Sequence, residues 1–305
     1  MASRAPLLPY AVLTAAAFLL ASDVIVGRLA DGTTPPLVLA FFRCAGAAVL
    51  LLPFVGRELL SQRHVIAAAW RHFALVGLFG SIIGAGGIYT GLAMTTGLNG
   101  GIVSTTQSAL TVAIAWAAFG ERIGRSEMLG LLVAAAGVLY VMVGGDFARL
   151  AAFQPHVGDL FVFVGVAGFA AYVVWLRRLP VGMSPMAALC VIMWWGSAFL
   201  APAVVAEMLA GHVFVATVKT VGLALWSSIA VGIFAVGCLT AGTRMVGSYQ
   251  AGAFNYLRTV FSLGLAIALL GERPQLYHGV GLVLVMAGLW LMLRRRRAVS
   301  QARAT

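Results

Sequence analysis

Charge is scarce in this chain. Only 10% of its 305 residues are Asp, Glu, Lys or Arg, and the acids number nine, whereas roughly a quarter of a water-soluble domain is charged. That scarcity excludes an ordinary soluble domain. The net charge of +11 therefore cannot belong to a soluble basic module that grips nucleic acid. The three cysteines, Cys44, Cys190 and Cys238, all fall inside apolar stretches, which excludes the disulfide framework of a small secreted protein. The five histidines, His64, His72, His156, His212 and His278, sit in loops or at helix ends without metal-ligand spacing. No HExxH, GxSxG or Walker pattern occurs. No catalytic residue, metal or bound cofactor is expected. Low-complexity sequence is absent too, and the only linker-like stretch is 144–157, with Asp146, Arg149 and Pro155.

Apolar residues are abundant: 62% of the chain is hydrophobic and the mean hydropathy is +1.00. A helix that spans a bilayer needs about 20 mostly apolar residues. Ten stretches qualify: 8–27, 35–55, 73–94, 99–119, 127–143, 158–176, 184–208, 221–242, 248–270 and 276–293. Lipid tolerates only helices or closed barrels, and these runs lack the alternation of barrel strands. The expected fold class is all-α integral membrane, with ten transmembrane helices. The first run follows Arg4 as a signal peptide would, but it is too long for the 7–15 residue core of a signal. It is read as the first helix.

The chain repeats itself. Gly120-Glu121-Arg122 returns as Gly271-Glu272-Arg273, Gly130 and Gly137 return as Gly281 and Gly288, and Gly91, Met94 and Gly101 return as Gly242, Met245 and Gly252, all at an offset of 151 residues. Ten helices in two copies leave five per copy, and an odd number makes the second copy enter the membrane from the opposite side. The halves are expected to be inverted repeats, 1–145 and 158–293, with a linker at 146–157 and a basic cytoplasmic tail at 294–305. Charge supports this orientation. With the N-terminus inside, the inner segments hold Arg4, Arg57, Arg63, Arg71, Arg122, Arg125, Arg177, Arg178, Arg244, Arg294 to Arg297 and Arg303. The outer ones hold Arg28, Arg149, Lys219 and Arg273. Fourteen against four is a positive-inside bias, and it predicts a multi-pass protein of a bacterial-type inner membrane with both termini cytoplasmic. Lipid is its first partner, and the Arg294–Arg297 run reads as a stop-transfer anchor. Glu121 and Glu272 are expected to open the following helix at its dipole, with the preceding glycine allowing the reversal.

Five helices, with a proline-rich entry to the second (Thr34-Pro35-Pro36, then Arg43), a Gly-Glu-Arg hinge and a glycine-rich fifth helix, resemble the EamA-type half of the drug/metabolite transporter superfamily. The resemblance covers nearly the whole chain, twice. It implies a ten-helix exporter or permease of small metabolites or drugs, with a cavity made by the first four helices of each half and the fifth packed peripherally. The chain departs from that pattern twice. Leu20-Ala21-Ser22-Asp23 puts an acid where relatives often carry an amide, which raises the prospect of ion coupling. Ser108 and Thr259 stand where relatives often have the proline that would kink the fourth helix.

A charge within the hydrocarbon costs at least about 2.5–3.5 kcal/mol on insertion scales, so it faces a cavity or a partner. Three residues qualify: Asp23, Arg43 and Arg258. Asp23 and Arg43 fall in the outer halves of the first two helices, either as a salt bridge joining them or as a gate or proton site. Arg258 lies near mid-membrane with no acid nearby in its own helix. Asn255, Arg258 and Ser262 share one helical face, and the offset of 151 maps them onto Ser104, Gln107 and Thr111. Paired polar stripes suit a midplane binding site at a repeat interface, though hydroxyls and amides also simply join packed helices. Tyr89, Trp194 and Tyr256, with Tyr172, Trp175 and Trp195, offer stacking walls for a substrate or ordinary packing. The Gly80–Gly87 run lies inside an apolar helix with no strand before it, and close helix packing explains it.

These features together predict a secondary transporter of small molecules such as amino acids or amphipathic drugs, working by alternating access, with protons as a candidate coupling ion and efflux as its direction. An uncoupled facilitator or channel is the alternative. A membrane-embedded enzyme lacks any nucleophile–base pair or acid cluster in the helices.

Overall fold

The computed structural model describes the backbone of residues 7–120, 124–146, 156–176, 178–180, 182–211 and 214–302; side chains of 7, 127, 142, 240, 243, 244, 246–256, 289 and 292–302 fall outside that description. Among the described residues all regular structure is helical. Seven helices are long and apolar enough to cross a membrane: α1 (Leu7–Ala30), α2 (Pro36–Ser61), α3 (Trp70–Leu92), α4 (Gly97–Phe119), α6 (Val157–Leu176), α7 (Pro185–Leu209) and α8 (Val218–Leu239). Three shorter apolar stretches, Met128–Val141, Leu257–Leu270 and Leu276–Gly288, lie within α5 (Arg125–Met142), α9 (Val236–Leu270) and α10 (Leu276–Ala302). These are the ten expected segments. Several boundaries differ from expectation, α2 for one running to Ser61 and not to 55. The backbone stays helical from α8 into α9, through the loop expected at 243–247, and α10 continues beyond 293 through its basic run, since arginine is a good helix former.

Local chemistry sets most ends. Proline occupies the first turns of α2 and α7, where its missing N–H costs nothing. Thr96 and Ser184 cap α4 and α7 by accepting the backbone N–H of Asn99 and Ala187, each at 3.1 Å. Gly120 and Gly271 close α4 and α9 with φ of 65° and 66°, the left-handed conformation that glycine adopts without penalty. In this respect the two Gly-Glu-Arg copies behave as expected, although Glu121 and Arg122 lie outside the described residues.

Counterpart helices pack antiparallel across the two halves. Between α5 and α10, a Cβ on Gly288 would sit 2.5 Å from the Gly130 carbonyl oxygen, and one on Gly281 would sit 3.2 Å from that of Gly137. Between α2 and α7, Cys190 lies against the Ala48 carbonyl at 3.5 Å while Glu207 meets Val38 and Glu58 meets Ser184. Rising numbers in one helix meet falling numbers in its equivalent, so the relating axis is perpendicular to the helices and lies in the membrane plane. The remaining contacts obey the same exchange: α1 packs on α9 as α6 packs on α4, and α3 on α6 as α8 on α1.

Three local features shape the centre. Both α3 and α8 widen into π-helix, over Phe79–Gly86 and Ser227–Ala235, an irregularity frequent at functional sites. The Gly80–Gly87 run packs backbone to backbone on α6: a Cβ on Gly165 would meet Ile88 N at 2.6 Å and Gly84 O at 2.8 Å. Finally, α4 is interrupted at Thr105–Thr106. Both N–H groups there bond three residues back, at 3.0 and 3.1 Å, and both hydroxyls donate to the same carbonyls, Ile102 and Val103, at 2.6 Å. Without a proline in this stretch, the fourth helix is still broken, because threonine hydroxyls compete for the helical carbonyls.

Candidate functional site

Asp23 and Arg43 meet. The Arg43 Nη1 donates to Asp23 Oδ2 at 2.8 Å, with side-chain exposures of 3% and 6% respectively. The second carboxylate oxygen accepts from the Tyr89 hydroxyl at 2.5 Å, and that hydroxyl also contacts Ser227 Oγ at 2.7 Å. Phe169 lies under the guanidinium, 5.3 Å from ring centroid to Cζ. The network therefore gathers one residue from each of α1, α2, α3, α6 and α8, and Ser227 enters from the first π turn of α8. A buried pair on this scale is held by geometry: losing one partner strands the other charge at a cost of about 3–5 kcal/mol. Alongside, Trp226 Nε1 donates to Ser22 Oγ at 3.0 Å, tying α8 to α1.

A cavity of about 730 Å³ opens above this network, on the face expected to be outer, between the α1–α2 turn and the start of α8. Gly27, Leu39, Thr90, Met94, Glu207 and Thr217 line it, and Tyr89 belongs to both cavity and network. On that face the helix ends of the two halves are joined by acids. Glu272 accepts the backbone N–H groups of Gly97 and Leu98 at 2.7 Å each, Asp159 accepts from Thr95 Oγ1 and from Asn99 Nδ2 at 3.0 Å, and Glu207 accepts Val38 N–H at 3.2 Å. Glu272 thus caps α4 and not the helix that follows it, contrary to the sequence expectation, because the inverted packing brings the N-terminus of α4 beneath the α9–α10 turn. On the opposite face, Glu58 accepts the Ser184 N–H at 2.6 Å and its hydroxyl at 2.7 Å, and Gln62 Nε2 donates to Gly182 O at 2.9 Å.

Arg258 is bonded to its own counterpart. Its Nη1 donates to Gln107 Oε1 at 3.0 Å, and the two residues are 151 positions apart, so α4 and α9 cross at the pseudo-two-fold. The interruption at Thr105–Thr106 directly precedes Gln107. Ser262 projects against Gly101, where a Cβ would come within 2.6 Å of its hydroxyl. Arg258 Nε, Ser104 Oγ and Ser262 Oγ are buried without hydrogen-bond partners among the described residues. Thr111 donates to the Gln107 carbonyl one turn back in its own helix at 2.7 Å. The side chains of Asn255 and Tyr256 lie outside the described residues.

Of the aromatic residues offered as stacking walls or as packing, Tyr89 lines the cavity. Trp194 is 59% exposed and shares an outward stripe of α7 with Pro202 and Val205, so it faces lipid and not a cavity; one position of helical rotation separates it from Trp195, which packs on Trp70 and Phe199. Tyr172 and Trp175 pack on Phe169 and on Phe79 and Phe119. What the sequence reading overlooked is a second repeat offset. Pro53 and Glu58 recur 149 residues later as Pro202 and Glu207, and these glutamates bind the N-terminal ends of each other's helices.

The EamA-like transporter family matches the chain twice, at residues 7–143 and 156–294. Two relatives from Bacillus subtilis (strain 168) are similar along most of their length. The uncharacterized transporter YetK is 23% identical over 94% of this chain and 87% of its own, and the uncharacterized transporter YyaM 24% identical over 92% and 90%. An uncharacterized transporter of Archaeoglobus fulgidus is 24% identical over 84% and 87%. A protein of solved crystal structure, 18% identical, shares the fold over 94% of this chain and 97% of its own with a TM-score of 0.56. Both five-helix halves being matched, each by the same family, the chain belongs to the EamA-like transporter family and is a multi-pass membrane transporter.

Proposed function

We propose that the protein is a secondary transporter of small metabolites, such as amino acids or amphipathic drugs, that works by alternating access between its inverted halves. The observation that carries this reading is the position of the polar network: a cavity from one face ends on Tyr89, whose hydroxyl bonds Asp23 of the Asp23–Arg43 pair, while Arg258 and Gln107 join the halves at their pseudo-symmetric crossing. Rocking the halves would close the cavity on that face and open its equivalent on the other. We assign the protein to the inner membrane with both termini cytoplasmic, on the basic-residue bias. The export direction rests on the family resemblance. Substrate would meet Arg258, Gln107, Ser104 and Ser262, with Tyr89 and Arg43 gating from the cavity side.

Asp23 is the coupling residue in this reading. Its carboxylate holds Arg43 from α2 and Tyr89 from α3. Protonation would release both Arg43 and Tyr89, which ties a proton to the gate. The test is flux into inside-out vesicles or proteoliposomes across a panel of amino acids and drugs, with and without a pH gradient. Asp23→Asn is expected to retain exchange and lose pH-driven accumulation. Accumulation by that variant equal to the parent's would remove Asp23 from coupling, and flux indifferent to the gradient in the parent would favour an uncoupled facilitator.

A further inference from the structure

Arg258 is a partly buried cation in the middle of the bundle that no described residue neutralises. Asp23 and Arg43 already compensate each other in a 2.8 Å pair. Asp31, Glu58, Asp159, Glu207 and Glu272 are engaged at helix ends, and no described carboxylate forms an ion pair with Arg258. Its one described partner is the neutral amide of Gln107. Such a charge is costly within a membrane unless something supplies the missing negative charge.

The surroundings say what is missing. Three donors lack partners among the described residues: Arg258 Nε, Ser104 Oγ and Ser262 Oγ, the two serines being 6% and 1% exposed. They fall on one patch. Ser262 is one turn from Arg258 on α9, and Ser104 lies one turn from both Gly101 and Gln107 on α4. Gly101 faces Ser262 and Gln107 faces Arg258, so Ser104 falls between the two crossings. Glycine at 101 leaves the space into which the Ser262 hydroxyl projects.

We infer that this patch is an anion subsite, and that the transported molecule carries a carboxylate which seats on Arg258, Ser104 and Ser262. The inference rests on the transporter reading and narrows its substrate class. A carboxylate offers about four lone-pair positions to partnerless donors and fits the guanidinium fork in a bidentate manner. One uncompensated positive charge matches one negative charge, which favours a carboxylate over a phosphate dianion. Gln107 is the stand-in acceptor when the site is empty.

Binding is measured on the purified full-length protein by thermal shift and by isothermal titration. The probes are benzoate, hexanoate, L-leucine and L-phenylalanine, compared with benzamide, L-phenylalaninamide and phenyl phosphate. At least one carboxylate should bind, its amide should bind ten-fold or more weakly, and Arg258→Gln should lose the difference while keeping the ligand-free melting temperature. Arg258→Lys should recover only part, since an ammonium lacks the fork, and Ser104→Ala with Ser262→Ala should weaken binding several-fold. Equal binding of acid and amide, preference for phenyl phosphate, no binding by any carboxylate, or undiminished binding by Arg258→Gln overturns the inference. Counterflow in proteoliposomes separates the two readings. Flux of a neutral or cationic solute without carboxylate binding leaves the transporter standing and removes the anion subsite, whereas carboxylate binding without any flux does the reverse.

Discussion

Asp23 holds both Arg43 and Tyr89 in the centre of the bundle, and these neighbours define what a substitution should do. Asp23→Ala strands the Arg43 guanidinium, and Arg43→Ala leaves the carboxylate with only the Tyr89 hydroxyl. Each single variant should lose about 3–5 kcal/mol of stability. The double variant should lose clearly less than the sum, with a coupling of about 0.5–3 kcal/mol. Unfolding in detergent micelles measures this, and strict additivity would mean that the pair carries no mutual stabilisation. At this scale the sequence was informative about residue type and offered the Asp23–Arg43 pair as one reading, but it did not offer Tyr89 as a partner of Asp23 or Gln107 as a partner of Arg258. The insertion cost of a charge is a property of one residue, so Asp23, Arg43 and Arg258 stood out unaided; that Arg258 bonds Gln107 and not an acid depends on how two helices rotate against each other.

At the scale of elements, helix contacts divide into those that need glycine and those that do not. Gly165 of α6 faces Ile88 N and Gly84 O at distances no Cβ tolerates, whereas Gly264 of α9 has nothing within 4 Å. Gly165→Ala should therefore destabilise the fold by about 1–3 kcal/mol or more, since backbone cannot move aside as a side chain can. Gly264→Ala should leave the melting temperature within a degree or two. Detergent melts of the two variants side by side check this, and equal melting temperatures would contradict the α3–α6 contact. Helix number and most ends followed from apolar runs, prolines and caps because those act within one turn of chain. The break in α4 did not. It comes from Thr105 and Thr106 turning their hydroxyls onto Ile102 and Val103 carbonyls, an arrangement that threonine pairs in other helices need not adopt.

Across the whole molecule the inverted repeat has a direct consequence. The α1–α2 and α6–α7 loops are equivalent in the repeat and lie at opposite faces, so Thr33→Cys and Arg178→Cys, both at exposed positions, should label from opposite sides. In a background with Cys44, Cys190 and Cys238 replaced, an impermeant maleimide applied to intact cells should reach position 33, and position 178 only after permeabilisation. Labelling of both from one side is incompatible with the inversion. The acids at the two faces follow the same symmetry: Glu58 joins the halves on one face and Glu207 on the other.

Composition alone decided that this chain lives in lipid, and lipid decided that it is helical, because hydration and backbone satisfaction are paid residue by residue. The doubled Gly-Glu-Arg spacing and the odd helix count then made inversion a matter of arithmetic. The tertiary arrangement decided everything that depends on a second helix. It placed Glu272 on α4 and not on α10, turned Trp194 to lipid, joined Asp23 to Tyr89 as well as to Arg43, and brought Gln107 and Arg258 together across the axis. Such pairings are separated by up to 175 residues in sequence. They are set by the rotation and register of packed helices, which no local pattern encodes.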